Sequence, residues 1–208
     1  MSAQQVADQL PSPPDLERIS IAASALEIVF GGYPETFDYD GGRIDGTRIA
    51  SCNRGNGDGY QIYFRDEAAV VRAFEHENSE QENWTQILTA LPPAVASAFG
   101  DSVRSGEHEG DWATFGAWCR AGETTWALAS QSPDDRASSI LRVILDGTPQ
   151  GFAEWLVPAY GLEIDLEVIS MFYTFQPLTR SKLEAAGPFD LESAEPDLLR
   201  LGYTLEND

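Results

Sequence analysis

Lysine is almost missing from this chain. Its one lysine, Lys182, joins the arginines in a basic total of 13 against 34 acidic side chains, a formal charge of −21. Nucleic-acid binding draws most of its affinity from Lys and Arg neutralising phosphates, so this composition excludes a nucleic-acid partner. Cysteine is as scarce. Cys52 and Cys119 stand alone, too few for a disulfide framework and without the C-x-x-C spacing of zinc or redox sites, so both read as reduced core thiols. Long apolar runs are missing too: the best, residues 21–30, is interrupted by Ser24 and Glu27 and falls short of the about 18 residues a membrane span needs. Residues 1–14 hold neither a basic residue nor an apolar block, so no secretory or transit signal is expected, and the expected location is cytoplasmic.

What the chain does hold is 42% hydrophobic residues over 208 positions, enough for a real core. With no Pro/Gly/Ser-rich linker in view, one domain spanning residues 1–208 is expected. Leu16, Ile19, Ala23, Leu26 and Phe30 recur at three- and four-residue spacing, which predicts a helix over residues 15–30 stopped by Gly31-Gly32. The period then changes. Residues 47–53, 60–65 and 70–75 read as strands; Tyr60, Ile62 and Phe64 share one face, although Val70, Val71 and Phe74 also fit helical spacing. The run Asn53-Arg54-Gly55-Asn56-Gly57-Asp58-Gly59 predicts a tight connection between the first two strands. A polar stretch and Pro92-Pro93 lead to a short helix at 94–99, followed by an acidic loop at 101–111. Residues 112–119 and 124–128 predict a second hairpin. From Pro133 onward the pattern is helical: one helix ends at Gly147, a second opens at Thr148-Pro149 and closes at Pro158, and three more follow, the last interrupted by Pro196. Strands first and helices after predict an α+β fold, an antiparallel sheet of about five strands (residues 33–130) packed by the N-terminal helix and several C-terminal helices (133–202).

Candidate chemistry is thin. Both histidines sit in the same tripeptide, Glu75-His76-Glu77 and Glu107-His108-Glu109, with Asp111 just beyond the second. Two imidazoles and several carboxylates are divalent-metal ligands, and a neighbouring carboxylate is a base for bound water, so His76, His108 and Asp111 are the candidates for a metal-dependent hydrolase. Neither triplet has H-E-x-x-H spacing. Residues 55–59 lack the Lys and Ser/Thr of a phosphate-binding loop and read as a turn. Read as a calcium loop, Asp38-Tyr39-Asp40-Gly41-Gly42 puts Arg43 and Ile49 where an EF-hand needs glycine and glutamate. No G-x-S-x-G elbow is present, and no cofactor is expected. Trp112, Phe115, Trp118 and Trp126 either line a pocket or, at strand spacing, simply fill the core.

The charge carries more information. The excess reaches −8 over residues 151–208, and Glu75, Glu77, Glu80 and Glu82 put four acids within eight positions beside a predicted strand end. Such a field attracts a basic protein and speeds its association, whereas the plainer reading is a solvated surface or adaptation to salt. Ile49-Ala50-Ser51, Gly55-Asn56-Gly57-Asp58-Gly59-Tyr60, Ile62-Tyr63-Phe64 and residues 71–77 together resemble a pattern of the SUKH superfamily: a strand, a Gly-Asp turn, a strand and a hairpin ending in an acid-His-acid segment. They are also similar to a group of acidic bacterial proteins with an Asn-Gly-x-Gly-Asp turn. The resemblance implies an α+β fold and a non-catalytic role, often immunity against a toxin carried by neighbouring bacteria, and no catalytic residue carries over. The expectation is therefore a bacterial protein-binding protein that takes a basic partner, with Glu75, Glu77, Glu80 and Glu82 as its contact residues. The metal-dependent hydrolase is the alternative.

Overall fold

The computed structural model describes residues 2–31, 36–44, 46–77, 82–99, 112–129, 137–187 and 189–206. The chain opens with α1 (Ala3–Gln9), started by a reciprocal cap in which Gln5 N donates to Ser2 Oγ and Ser2 N to Gln5 Oε1. α2 (Pro13–Leu26) has Ser12 as its cap and proline in its first turn, where a missing N–H costs nothing. Its alanines at 22, 23 and 25 and Leu16 and Leu26 are fully enclosed, so the helix lies close against its neighbours. A π-helical turn, Glu27–Gly31, continues it.

Four strands then form a meander: β1 (Phe37–Ile44), β2 (Thr47–Asn53), β3 (Gly59–Phe64) and β4 (Ala68–Phe74). An excursion follows through β5 (Glu82–Asn83), α3 (Trp84–Ala90), α4 (Pro93–Phe99) and β6 (Trp112–Ala113), with β5 and β6 pairing as a small separate ladder. β7 (Phe115–Arg120) then joins β4, and β8 (Ala127–Leu128) closes the sheet in the order β1-β2-β3-β4-β7-β8, antiparallel throughout. The fold is α+β, as the order of elements predicts, with six strands where about five are expected. The added strand is β1, whose Asp38-Tyr39-Asp40 stretch belongs to an edge strand.

The strand period of two gives the sheet two different faces. Tyr60, Ile62 and Phe64 join Phe37, Ala50, Val71 and Phe115 in a core with α1, α2 and the C-terminal helices. Tyr63 and Val70 face the other way and pack with Trp84, Ile87, Val95 and Phe99 under α3 and α4. β4 is covered on both faces, hence its continuous burial from Ala68 to Ala73 and its ambiguous period. Arg72, buried in the second face, donates to the Trp112 carbonyl at 2.7 Å and stacks over the Trp84 ring, tying β6 and α3 to the sheet. Of the four aromatics weighed as core or pocket, Phe115 and Trp126 are buried, Trp118 is half-buried and Trp112 is exposed.

The C-terminal half contributes α5 (Ala137–Ile140), α6 (Arg142–Asp146), α7 (Pro149–Tyr160), α8 (Leu166–Tyr173), α9 (Arg180–Ala186) and α10 (Leu191–Arg200), with β9 (Leu178–Thr179) and β10 (Leu205–Glu206) as a short parallel pair. Four expectations are corrected. The helix expected to run into Gly147 is two pieces, α5 and α6, broken at Leu141, where the Arg54 guanidinium bonds the carbonyls of Ser139 and Ile140. Pro158 lies inside α7, which ends instead at left-handed Gly161, and Pro196 lies inside α10 without interrupting it. Both prolines and the residues four positions before them, Glu154 and Glu192, are exposed, so the helical hydrogen bonds they remove lie on the solvent side of each helix. α3 also lies in the stretch that reads as polar; Asn83 caps it by accepting from Gln86 N.

Candidate functional site

The first acid-His-acid tripeptide ends β4, and the β2–β3 loop comes up against it. In that loop Gly55 N donates to Asn53 Oδ1 and Asp58 N to Asn56 Oδ1, two local bonds that bend the chain back through left-handed Gly55 and Gly57. Asp58 Oδ1 then receives both the His76 backbone N–H, at 2.9 Å, and the ring Nδ1, at 2.8 Å. The imidazole is 44% exposed, and its Nε2 is 4.0 Å from Glu77. The hydrogen bond to Asp58 pushes the His76 pKa above its ordinary 6.5. Partial burial acts to raise Asp58, but the His76 amide and imidazole together with the Asn56 amide outweigh it and hold the carboxyl below 3.8.

The two shifts define a pH window. His76's folded value is raised, so its contribution is complete below 6.5 and is lost as pH rises from there through the higher folded value; Asp58's is lowered, so its contribution is complete above 3.8 and is lost as pH falls from there through the lower folded value. His76→Ala should therefore cost more stability at about pH 5 than at about pH 9. NMR titration of the ring should give a midpoint above 6.5, and a midpoint at or below that value refutes the pair.

The other candidate residues are dispersed. Glu77 is exposed, whereas Glu75 is half-buried with its amide bonded to Thr114 Oγ1, and Glu82 is half-buried in β5. Glu80, His108 and Asp111 lie outside the described residues. Among the described residues no group of three or more His, Cys, Asp and Glu side chains is placed to hold a metal ion.

A second polar cluster stands at the approach to β1, where Thr36 O accepts from Asn53 N. Glu27, in the π-helical turn, is a buried carboxylate: Tyr160 Oη donates to it at 2.7 Å, the Thr36 amide also bonds it, and Thr36 Oγ1 and Tyr160 Oη are 2.7 Å apart. Burial raises its pKa against the opposing effect of these bonds. Burial likewise pushes the Cys52 thiol up to about 12 and Cys119 up to about 11, so both stay protonated and unreactive at neutral pH. Glu27 latches the end of α2, the approach to β1 and the end of α7 together. Its sequence signal is slight, one acid inside an otherwise apolar helical run. Compared with family models, curated proteins and solved structures, the chain matches none.

Proposed function

We propose that this chain is a non-catalytic bacterial protein-binding protein, an immunity factor, that takes a basic partner through its acidic surface. The observation that carries the reading is how the two signs of charge are used. Arg48, Arg142, Arg180, Lys182 and Arg200 each meet a carboxylate of the same chain. Arg54 and Arg72 bond backbone carbonyls, Arg65 bonds Thr47, and Arg18 and Arg120 lie over Phe175 and Trp118. These ten cations are thus engaged by groups of the same chain, while Asp66, Glu67, Glu77, Glu123, Glu163, Asp165 and Glu184 face solvent. The net field outside the protein is anionic, which steers a cationic partner inward. The resemblance of residues 49–77 to the SUKH pattern supports the immunity role, and Glu75, Glu77, Glu80 and Glu82 are the proposed contact cluster.

Affinity capture from the native host should return a basic protein. Its on-rate should fall steeply as salt shortens the Debye length below about 8 Å, and Glu77→Gln should lower it further. An acidic partner, or an on-rate indifferent to salt, sinks the reading. The metal-dependent hydrolase using His76 and His108 draws on one observation: Asp58 holds Nδ1 and leaves Nε2 outward, as a carboxylate does behind a ligating imidazole. One equivalent of a transition metal in protein purified without chelator, lost in His76→Ala, favours that reading instead.

A further inference from the structure

We propose that Asn56 is a self-modification site: the Gly57 backbone nitrogen displaces ammonia from the Asn56 side chain, and the carboxylate that water then generates drives Asp58 off His76. Asn56-Gly57 is the one Asn-Gly step in the sequence, and both residues are exposed on the β2–β3 loop. The bonds balance without any reactant but water. Gly57 N bonds to Asn56 Cγ and gives up its proton, the Cγ–Nδ2 bond breaks, and Nδ2 leaves with that proton as ammonia. Water opens the resulting cyclic imide at either carbonyl, giving aspartate or isoaspartate. Glycine suits the step because no side chain shields its nitrogen.

The same loop supplies an internal comparison. Asn53 is also exposed, and its Oδ1 accepts from Gly55 N at 2.9 Å, just as Asn56 Oδ1 accepts from Asp58 N at 3.0 Å. The nitrogens that follow the two asparagines differ. Arg54 N is committed to Asp58 O at 3.0 Å, whereas Gly57 N donates to no described residue. Asp58 then acts on Asn56 in two opposed ways. Its N–H, on Oδ1, stabilises the negative charge that attack places on that oxygen. Its carboxylate Oδ2 accepts from Nδ2 at 2.9 Å, a bond that must be given up before the nitrogen leaves. Through Oδ1 the same carboxylate holds the His76 amide and ring. In the product an anionic oxygen stands where Nδ2 donated, so two carboxylates face each other at hydrogen-bond distance. Isoaspartate also lengthens the main chain by a carbon. Either way Asp58 is repelled, and His76 loses its partner.

The test is incubation of the full chain at mildly alkaline pH in heavy-oxygen water, followed by peptide mass mapping. Residue 56 should become both aspartate and isoaspartate, each carrying one oxygen from the water, while Asn53 stays intact. Asp58→Ala keeps the backbone N–H on Asn56 Oδ1 and removes only the restraint on Nδ2. It should speed conversion at residue 56 by about three- to tenfold, the worth of one hydrogen bond, and leave Asn53 slow. In the converted protein the His76 amide should exchange faster than in the unconverted protein, and Asn56→Asp should reproduce that loss of protection. Any of four results overturns the proposal: an Asn56 that persists or converts no faster than Asn53, aspartate without isoaspartate, an Asp58→Ala variant in which residue 56 is not accelerated or both asparagines are, or a converted protein whose His76 amide keeps its protection. The third separates a guard acting on Asn56 alone from an opening of the whole loop.

Discussion

Gly59→Ala should be among the most damaging single-methyl changes available in this protein. Gly59 opens β3 opposite Asn53, and a Cβ built there falls 2.3 Å from the carbonyl oxygen of Cys52. The obstacle is backbone in the neighbouring strand, so no side-chain rotation relieves it. β2 and β3 must separate at the mouth of their hairpin, where Arg54 N bonds Asp58 O at 3.0 Å, and Asp58 in turn holds His76. The loss should reach about 3 kcal/mol, the upper range of overpacking in a fixed environment. Gly55→Ala, four residues earlier, is the matched control. Its φ of +75° is costly for a side chain, but nothing lies within 4 Å of the new atom, so the cost should stay at about 1 kcal/mol of left-handed strain. Urea midpoints at an unchanged slope measure both. Equal losses in the two variants would show that β2 and β3 give way freely at this point.

The contrast between those glycines also shows how far local sequence reaches. α2 is legible because Ser12, Pro13 and a four-residue apolar spacing all act within the helix itself. β2 and β3 are legible because one face of each is buried and the period of two survives. β1 is hidden. Among its described side chains only Phe37 and Tyr39 turn inward, Asp38, Asp40, Gly41 and Gly42 give no apolar alternation, and a register shift interrupts the pairing. α3 and its C-terminal cap carry Trp84, Ile87, Leu88 and Leu91 at helical spacing, but the acids just before it mask a helix of seven residues. The Asp58–His76 pair lies between these cases. Once β3 pairs with β4 so that Gly59 faces Phe74, residues 58 and 76 are brought to the same end of the hairpin, yet the pairing has to be known first. Glu27 is beyond local reach altogether, because its partner Tyr160 is 133 positions away.

Phe172→Ala should cost about 3–5 kcal/mol, the range for emptying a buried aromatic site, and it also tests whether sheet and helices are one cooperative unit. Phe172 is fully buried in α8, with ring centroids 5.9 Å from Phe30 and 5.5 Å from Tyr203. Its own carbonyl accepts the Tyr203 hydroxyl at 2.8 Å, so the truncation empties a site whose walls are pinned and cannot easily collapse. That side chain belongs to the same core as α1, α2, one whole face of the sheet and every C-terminal helix. If this core holds the chain together, the loss reaches every element it touches. Amides of Ile62 and Val71 in the sheet should lose protection by the same free energy as those of Ile169 in α8, and heat or urea should unfold the variant in a single transition at a lower midpoint. The opposite pattern has a distinct signature: Ile169 exchanging faster while Ile62 and Val71 keep their protection. That result would make the helical half a unit able to open alone, with Glu27 and Arg54 as the contacts released when it does.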